Sequence, residues 1–199
     1  MEGRIYISSA FTNLSYVKCK PNPDWLDNDP HFWNSPPTWG ICRTDFRRKL
    51  QKGDYIFFVL PKNAKGANGE DLPQMIYGYF RIADHINHLE AYRILPQKRM
   101  RNSNPNGNII VNSDGSYNRM DAGVHKNRFD EIKRHYIIGD KRSFRFFRPE
   151  DIRRLAPSFL KTLNNLFGTK AVDIYRVIGR KGRVLNENQI NSLVVWLNN

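Results

Sequence analysis

Up to Pro149 the apolar residues fall in short runs broken by glycine, proline and polar turns. Beyond it they recur at helical spacing. Arg4 to Ser8 (RIYIS) reads as a first strand. Tyr55 to Leu60 (YIFFVL) is a near-continuous apolar run of strand length, rich in β-branched and aromatic residues, which is the pattern of a buried central strand. Met75 to Ala83 (MIYGYFRIA) predicts its partner, and Gly78 in its middle suggests a bulge or a close backbone approach. Asn108 to Tyr117 reads as a hairpin turning at Asp114-Gly115. His135 to Ile138 and Ser143 to Phe147 read as two further strands around Gly139-Asp140. Short helices are expected at Thr44 to Leu50, capped by Thr44 or Asp45, and at His85 to Ile94.

In the last stretch Ile152, Leu155, Phe159, Leu163 and Leu166 share one helical face. Pro157 must start, kink or split that helix, and Gly168 ends it. A second helical segment runs from 169 to 179, and Asn186 with Gln189 caps a last one. The organisation expected is therefore a core over residues 1–148 and a helical unit over 149–199. Between Lys20 and Thr38 lies a loop with Pro21, Pro23, Pro30, Pro36 and Pro37, studded with Trp25, Phe32 and Trp33. Prolines forbid regular pairing there.

Composition narrows the class. Apolar residues make up 40% of the 199, with 12 Phe, 9 Tyr and 4 Trp, enough for a real core. The formal charge is +13, from 32 Lys and Arg against 19 Asp and Glu. Phosphate backbones are the commonest partner for such a surplus, because each neutralised phosphate releases counterions. A membrane partner is not expected: no basic amphipathic helix, lipidation signal or spanning apolar run is evident. Cys19 and Cys42 have no zinc spacing, and their pairing is left open. The start MEGRIYI carries no secretory signal, so a cytoplasmic location with reduced thiols is expected. No Walker loop, dinucleotide fingerprint or HExxH motif occurs, and no cofactor or metal is expected.

One constellation carries chemistry: Trp39-Gly40-Ile41-Cys42-Arg43, then the Arg47-Arg48 helix, then Lys52-Gly53-Asp54 feeding the aromatic strand, then Ile76-Tyr77-Gly78-Tyr79-Phe80. An apolar wall beside arginines offers a stacking face for a base and cations for its phosphate. This order resembles the PUA-like superfamily of small barrels, which includes EVE, YTH and ASCH domains. That resemblance implies an α+β fold with a small barrel-like mixed sheet and a pocket for a flipped, often modified, base. A more specific resemblance, over roughly residues 4–149, is to the second family of nucleotide-modification-associated domains. It is carried by Cys42-Arg43, Arg47, Arg48, Gly53-Asp54, Ile76-Tyr77, the run Gly107-Asn108-Ile109, His125 and the aromatic strand Ser143 to Phe147. It implies a part in bacterial or phage systems that modify or recognise unusual bases.

The candidate base-binding residues are Trp33, Trp39, Tyr77 and Tyr79; the bland alternative for each is a core or loop anchor. Arg43, Arg47, Arg48, Arg99 and Arg101 are the candidate phosphate contacts, with a solvated basic face as the alternative. The tail adds cations: residues 141–183 hold twelve Lys and Arg against three acids. His125 and His135 are the candidate acid–base groups, though a lone histidine is more often structural. Asp54 is a weaker candidate, more simply a turn residue. The function expected is recognition of a modified or extruded base, in DNA rather than RNA. Rival readings are an enzyme of base hypermodification or modified-nucleotide processing, and a protein-interaction accessory module.

Overall fold

The computed structural model describes residues 1–8, 29–66, 69–121, 123 and 125–199. Trp25, Cys19, Pro21 and Pro23 lie outside the described residues. The fold is mixed α+β. Its strands are β1 (Gly3–Ile7), β2 (Thr38–Trp39), β3 (Tyr55–Val59), β4 (Ile76–Ile86), β5 (Tyr136–Phe146) and β6 (Arg183–Leu185). They hydrogen-bond in the order β2-β5-β4-β3-β1-β6. The sheet is open, with β2 and β6 as its outer strands, so the expected barrel-like closure is not formed among the described residues. The helices are α1 (Thr44–Arg47), α2 (His88–Ile94), α3 (Phe129–Ile132), α4 (Pro149–Phe167), α5 (Ile174–Ile178) and α6 (Glu187–Asn198). No helix among the described residues is long and apolar enough to cross a membrane.

The chain forms two compact units. The first gathers the described residues of Met1–Leu14, Gly53–Phe80 and Arg145–Asn199. Here β1 and β3 pair in parallel, Gly3 opposite Tyr55 and Ile7 opposite Val59. Residues Ile56 to Val59 are wholly buried on both faces, as a continuous apolar run requires. The C-terminal segment adds a strand, because β6 pairs antiparallel with β1 on its other side. Helix α4 buries Ile152, Leu155, Phe159 and Leu163, the stripe read from the sequence. Pro157 sits inside it without splitting it. One N–H is missing, while the buried stripe continues on both sides of the proline. Gly168 closes the helix at φ 62°, where a side chain would be strained. The capping box of α6 forms, Asn186 accepting from Gln189 N at 2.9 Å and Gln189 accepting from Asn186 N at 3.0 Å.

The second unit gathers the described residues of Ser15–Lys52 and Arg81–Phe144. The segment Ile109-Ile110-Val111 alternates between two apolar clusters: Ile109 and Val111 join Ala91, Leu95, Tyr136 and Ile138, while Ile110 joins Ile41, Met100 and Ile132. The expected hairpin is a bridge, Val111 to Tyr117, closed by Asn112 and Ser116 around Gly115 at φ 82°. Two local expectations change. The strands expected around Gly139-Asp140 are one, β5, because Gly139 N donates to Pro37 O and stays in the ladder. The helix expected from His85 starts at His88, since 85 and 86 finish β4 and Asn87 supplies the cap.

In the first unit, Phe159 is fully buried and stacks on Trp196 at 5.8 Å. Phe159→Ala is expected to cost about 3–5 kcal/mol of unfolding free energy. Urea denaturation of the purified variant measures this, and a loss near zero would place the helix stripe outside the core.

Candidate nucleic-acid interface

The segment 39–43 is gripped from both sides. The carboxylate of Asp29, 1% exposed, accepts the backbone N–H of Gly40 at 2.7 Å and of Ile41 at 2.9 Å, and that of Cys42 as well. Arg47, fully buried, donates from Nη2 to Ile41 O at 2.8 Å and from Nε to Cys42 O at 2.9 Å. His88 donates from Nε2 to Gly40 O at 2.7 Å. Asn108 ties the group together: its amide donates to Asp29, and its oxygen accepts from Thr38 at 3.2 Å and Tyr136 at 2.6 Å. Gly40 is required there, since a Cβ would stand 2.5 Å from the Tyr136 ring.

This network corrects part of the expected site. Trp39 is fully buried and Arg47 is spent on two carbonyls, so neither faces a ligand. Tyr77 and Tyr79, in the first unit, are 0% and 5% exposed on a strand covered on both faces, where a groove had been expected. Tyr79 packs among Tyr55, Phe57 and Phe147, and its hydroxyl accepts from Asn198. Trp33 is half-buried, its ring 4.3 Å from that of His31. Arg43 caps α1 at φ 53°, pairs with Asp45 at 2.8 Å and lies over the Phe46 ring at 3.9 Å. Arg48 is exposed. Asp54 accepts Glu2 N at 3.0 Å, a long-range contact in place of the local turn role expected.

The open site lies elsewhere in the second unit. A cleft of about 330 Å³ is lined by Tyr92, Arg99, Met100, Arg101, Asn102, Asn112, Asn118 and Met120, with no acidic residue. Gly107-Asn108-Ile109 builds it from behind. Gly107 lets that segment approach, because a Cβ would meet the Arg99 and Met100 backbone at 2.5 Å. Ile109 then bridges in parallel with Arg99, fixing where that arginine emerges, while Arg101 bridges Asn104. The Arg99 guanidinium lies 4.0 Å over the Tyr92 ring and donates to Tyr92 O at 2.7 Å. Arg101 and Asn102 are exposed. Asn118 is held by donating to Met100 O, whereas the exposed Asn112 donates its amide N–H groups to Ser116 and Tyr117.

No family model, curated protein or solved structure matches this chain.

Both candidate histidines are positioned. His125 bonds through Nδ1 to Asp121 at 2.9 Å. His135 Nδ1 lies 3.0 Å from His85 Nε2, and His85 Nδ1 lies 2.9 Å from Leu50 O. The Leu50 carbonyl accepts only, so His85 carries its proton on Nδ1 and His135 donates to it. Burial, then the neighbouring His85, pull the His135 ring below its ordinary value. Sequence reasoning missed Asp29, Tyr92, Asn112, Asn118 and Asp121. The four-residue spacing of Asp121 and His125 and the run of asparagines from 102 to 118 were the available signals.

Burial lowers His31 to about 2 and His88 to about 3, from 6.5. The unfolded chain takes up protons below pH 6.5 that these rings refuse, so their contribution is complete above 6.5 and is lost as pH falls. Each contributes a slope of about 1.4 kcal/mol per pH unit. Burial raises Asp29 above 3.8, which works the other way. Moving from pH 7.5 to 5.5 is expected to remove roughly 1–3 kcal/mol, with a smaller drop in His88→Gln. Chemical denaturation at the two pH values measures it, and equal stability at both would refute the buried neutral rings.

Proposed function

We propose that this chain binds nucleic acid and takes an unpaired or modified base into the cleft between Arg99 and Met120. The observation that carries the reading is the lining itself: two arginines, three asparagines, a tyrosine and two methionines, without a carboxylate, on a chain of charge +13. The parts suit the ligand. Guanidinium groups attract phosphate at close range and draw an anionic strand from afar. The exposed Asn102 carboxamide matches the donor and acceptor edges of bases. Tyr92 and the methionine side chains offer flat or yielding apolar contact to a ring face.

The resemblance to nucleotide-modification-associated and PUA-like domains supports the same reading and adds its setting, a cytoplasmic bacterial or phage system of DNA modification or defence, with DNA as the principal partner. The base is admitted after leaving its stack, at a cost of a few kcal/mol that stacking on the cleft wall offsets by about 1–3 kcal/mol.

Fluorescence anisotropy with single-stranded oligonucleotides carrying different modified bases, at two salt concentrations, tests this. Affinity is expected to fall as salt rises. Arg99→Ala with Arg101→Ala is expected to weaken binding roughly tenfold and to flatten the salt slope by about 1–1.5. Binding indifferent to salt and to both substitutions would sink the reading, and a flat response across bases would remove the pocket while leaving the phosphate contacts.

A further inference from the structure

We propose that His125 is a general base and that the chain cleaves single-stranded RNA by attack of a ribose 2′-hydroxyl on its neighbouring phosphodiester. The inference rests on the nucleic-acid reading of the cleft and adds a reaction to it.

Its basis is the group Tyr117, Asp121 and His125. Asp121 is 8% exposed. Tyr117 donates its hydroxyl to Oδ2, and His125 N donates to the same oxygen at 3.1 Å. A carboxylate so surrounded is an acceptor, so His125 Nδ1, at 2.9 Å from Oδ1, is also a donor. That fixes the tautomer: the proton is on Nδ1 and the lone pair is on Nε2. Nε2 has no hydrogen-bond partner among the described residues, and the side chain is 28% exposed. Burial, then the bond to Asp121, push the Tyr117 phenol well above its ordinary value, so it remains a donor that holds the carboxylate in place. An oriented imidazole backed by a buried carboxylate is the arrangement general-base catalysis needs.

The location ties the base to the cleft. Asp121 directly follows Met120 on the 3₁₀ turn Arg119–Asp121, so one cleft wall stands on the turn that carries the carboxylate, and Asn118, a second wall, precedes it. Arg99 and Arg101 supply charge for a phosphate whose negative charge grows during attack.

RNA is the substrate class because it brings its own nucleophile. Nε2 takes the proton of the 2′-hydroxyl, and the 2′-oxygen bonds to the adjacent phosphorus. The bond from phosphorus to the 5′-oxygen breaks, and that oxygen takes a proton from solvent. The imidazolium returns its proton to solvent. The products are a 2′,3′-cyclic phosphate and a 5′-hydroxyl end, with no oxidant, reductant or further reactant consumed. DNA, lacking the hydroxyl, is bound without being cut.

The test uses the full chain with a labelled single-stranded RNA, its DNA counterpart and its 2′-O-methyl counterpart, in excess EDTA. Products are identified by mass, and binding of the 2′-O-methyl strand is followed by anisotropy. Expected are cyclic-phosphate ends from RNA alone and a loss of at least about 100-fold in His125→Ala with 2′-O-methyl binding unchanged. Asp121→Asn is expected to lose about 10–100-fold, with circular dichroism and melting like the wild type. Wild-type chain that binds the 2′-O-methyl strand but leaves RNA intact overturns the base role and spares the cleft. Failure to bind any strand overturns both. Cleavage by His125→Ala at the wild-type rate overturns it too.

Discussion

Putting an aspartate in the interior demands an answer for every lone pair it brings. Asp29 receives that answer from the backbone of residues 40–42, and the carbonyls of the same residues are met by Arg47 and His88. Charge, counter-charge and peptide dipoles close on one another around a stretch of only a few residues. Removing a single partner from such an arrangement leaves a buried group with nothing to bond. Helix α1, strand β2 and the segment behind the cleft are therefore set by one polar cluster, and the apolar packing of the second unit is arranged around it.

The same cluster explains what was legible in the sequence and what was not. Strands with unbroken apolar runs, such as Tyr55 to Val59, and the helix stripe from Ile152 to Leu163 could be read because their burial depends on local pattern alone. The capping box at Asn186 was legible for the same reason: its partners lie three residues apart. Trp39 and Arg47 were expected at the site because aromatic and cationic types look the same in a sequence whether they face a ligand or the interior. Asp29 lies 79 residues from Asn108, and no spacing rule reaches that far. Tyr77 and Tyr79 failed differently. Alternation assigned them one face of a strand, but it does not say that the other side of the sheet is covered too.

The cleft shows how a site can be half visible. Its arginines stood out as charge, and Gly107-Asn108-Ile109 stood out as a motif. The link between them is a backbone contact that only a residue without a Cβ permits. The glycine supplies proximity, the isoleucine supplies the bridge, and the asparagine belongs to the buried cluster. Positioning and chemistry are thus divided among adjacent residues of one short segment.

Strand β6 closes one side of the sheet with only three residues, and Val184 at its centre is 51% exposed. An outer strand presents unpaired backbone groups that a foreign chain can extend, and length governs how well it does so. Three residues offer too few ladder bonds to seed a fibre, and Arg180, Lys181 and Arg183 crowd the approach with charge of one sign. A chain of charge +13 thereby keeps its own copies from zipping together.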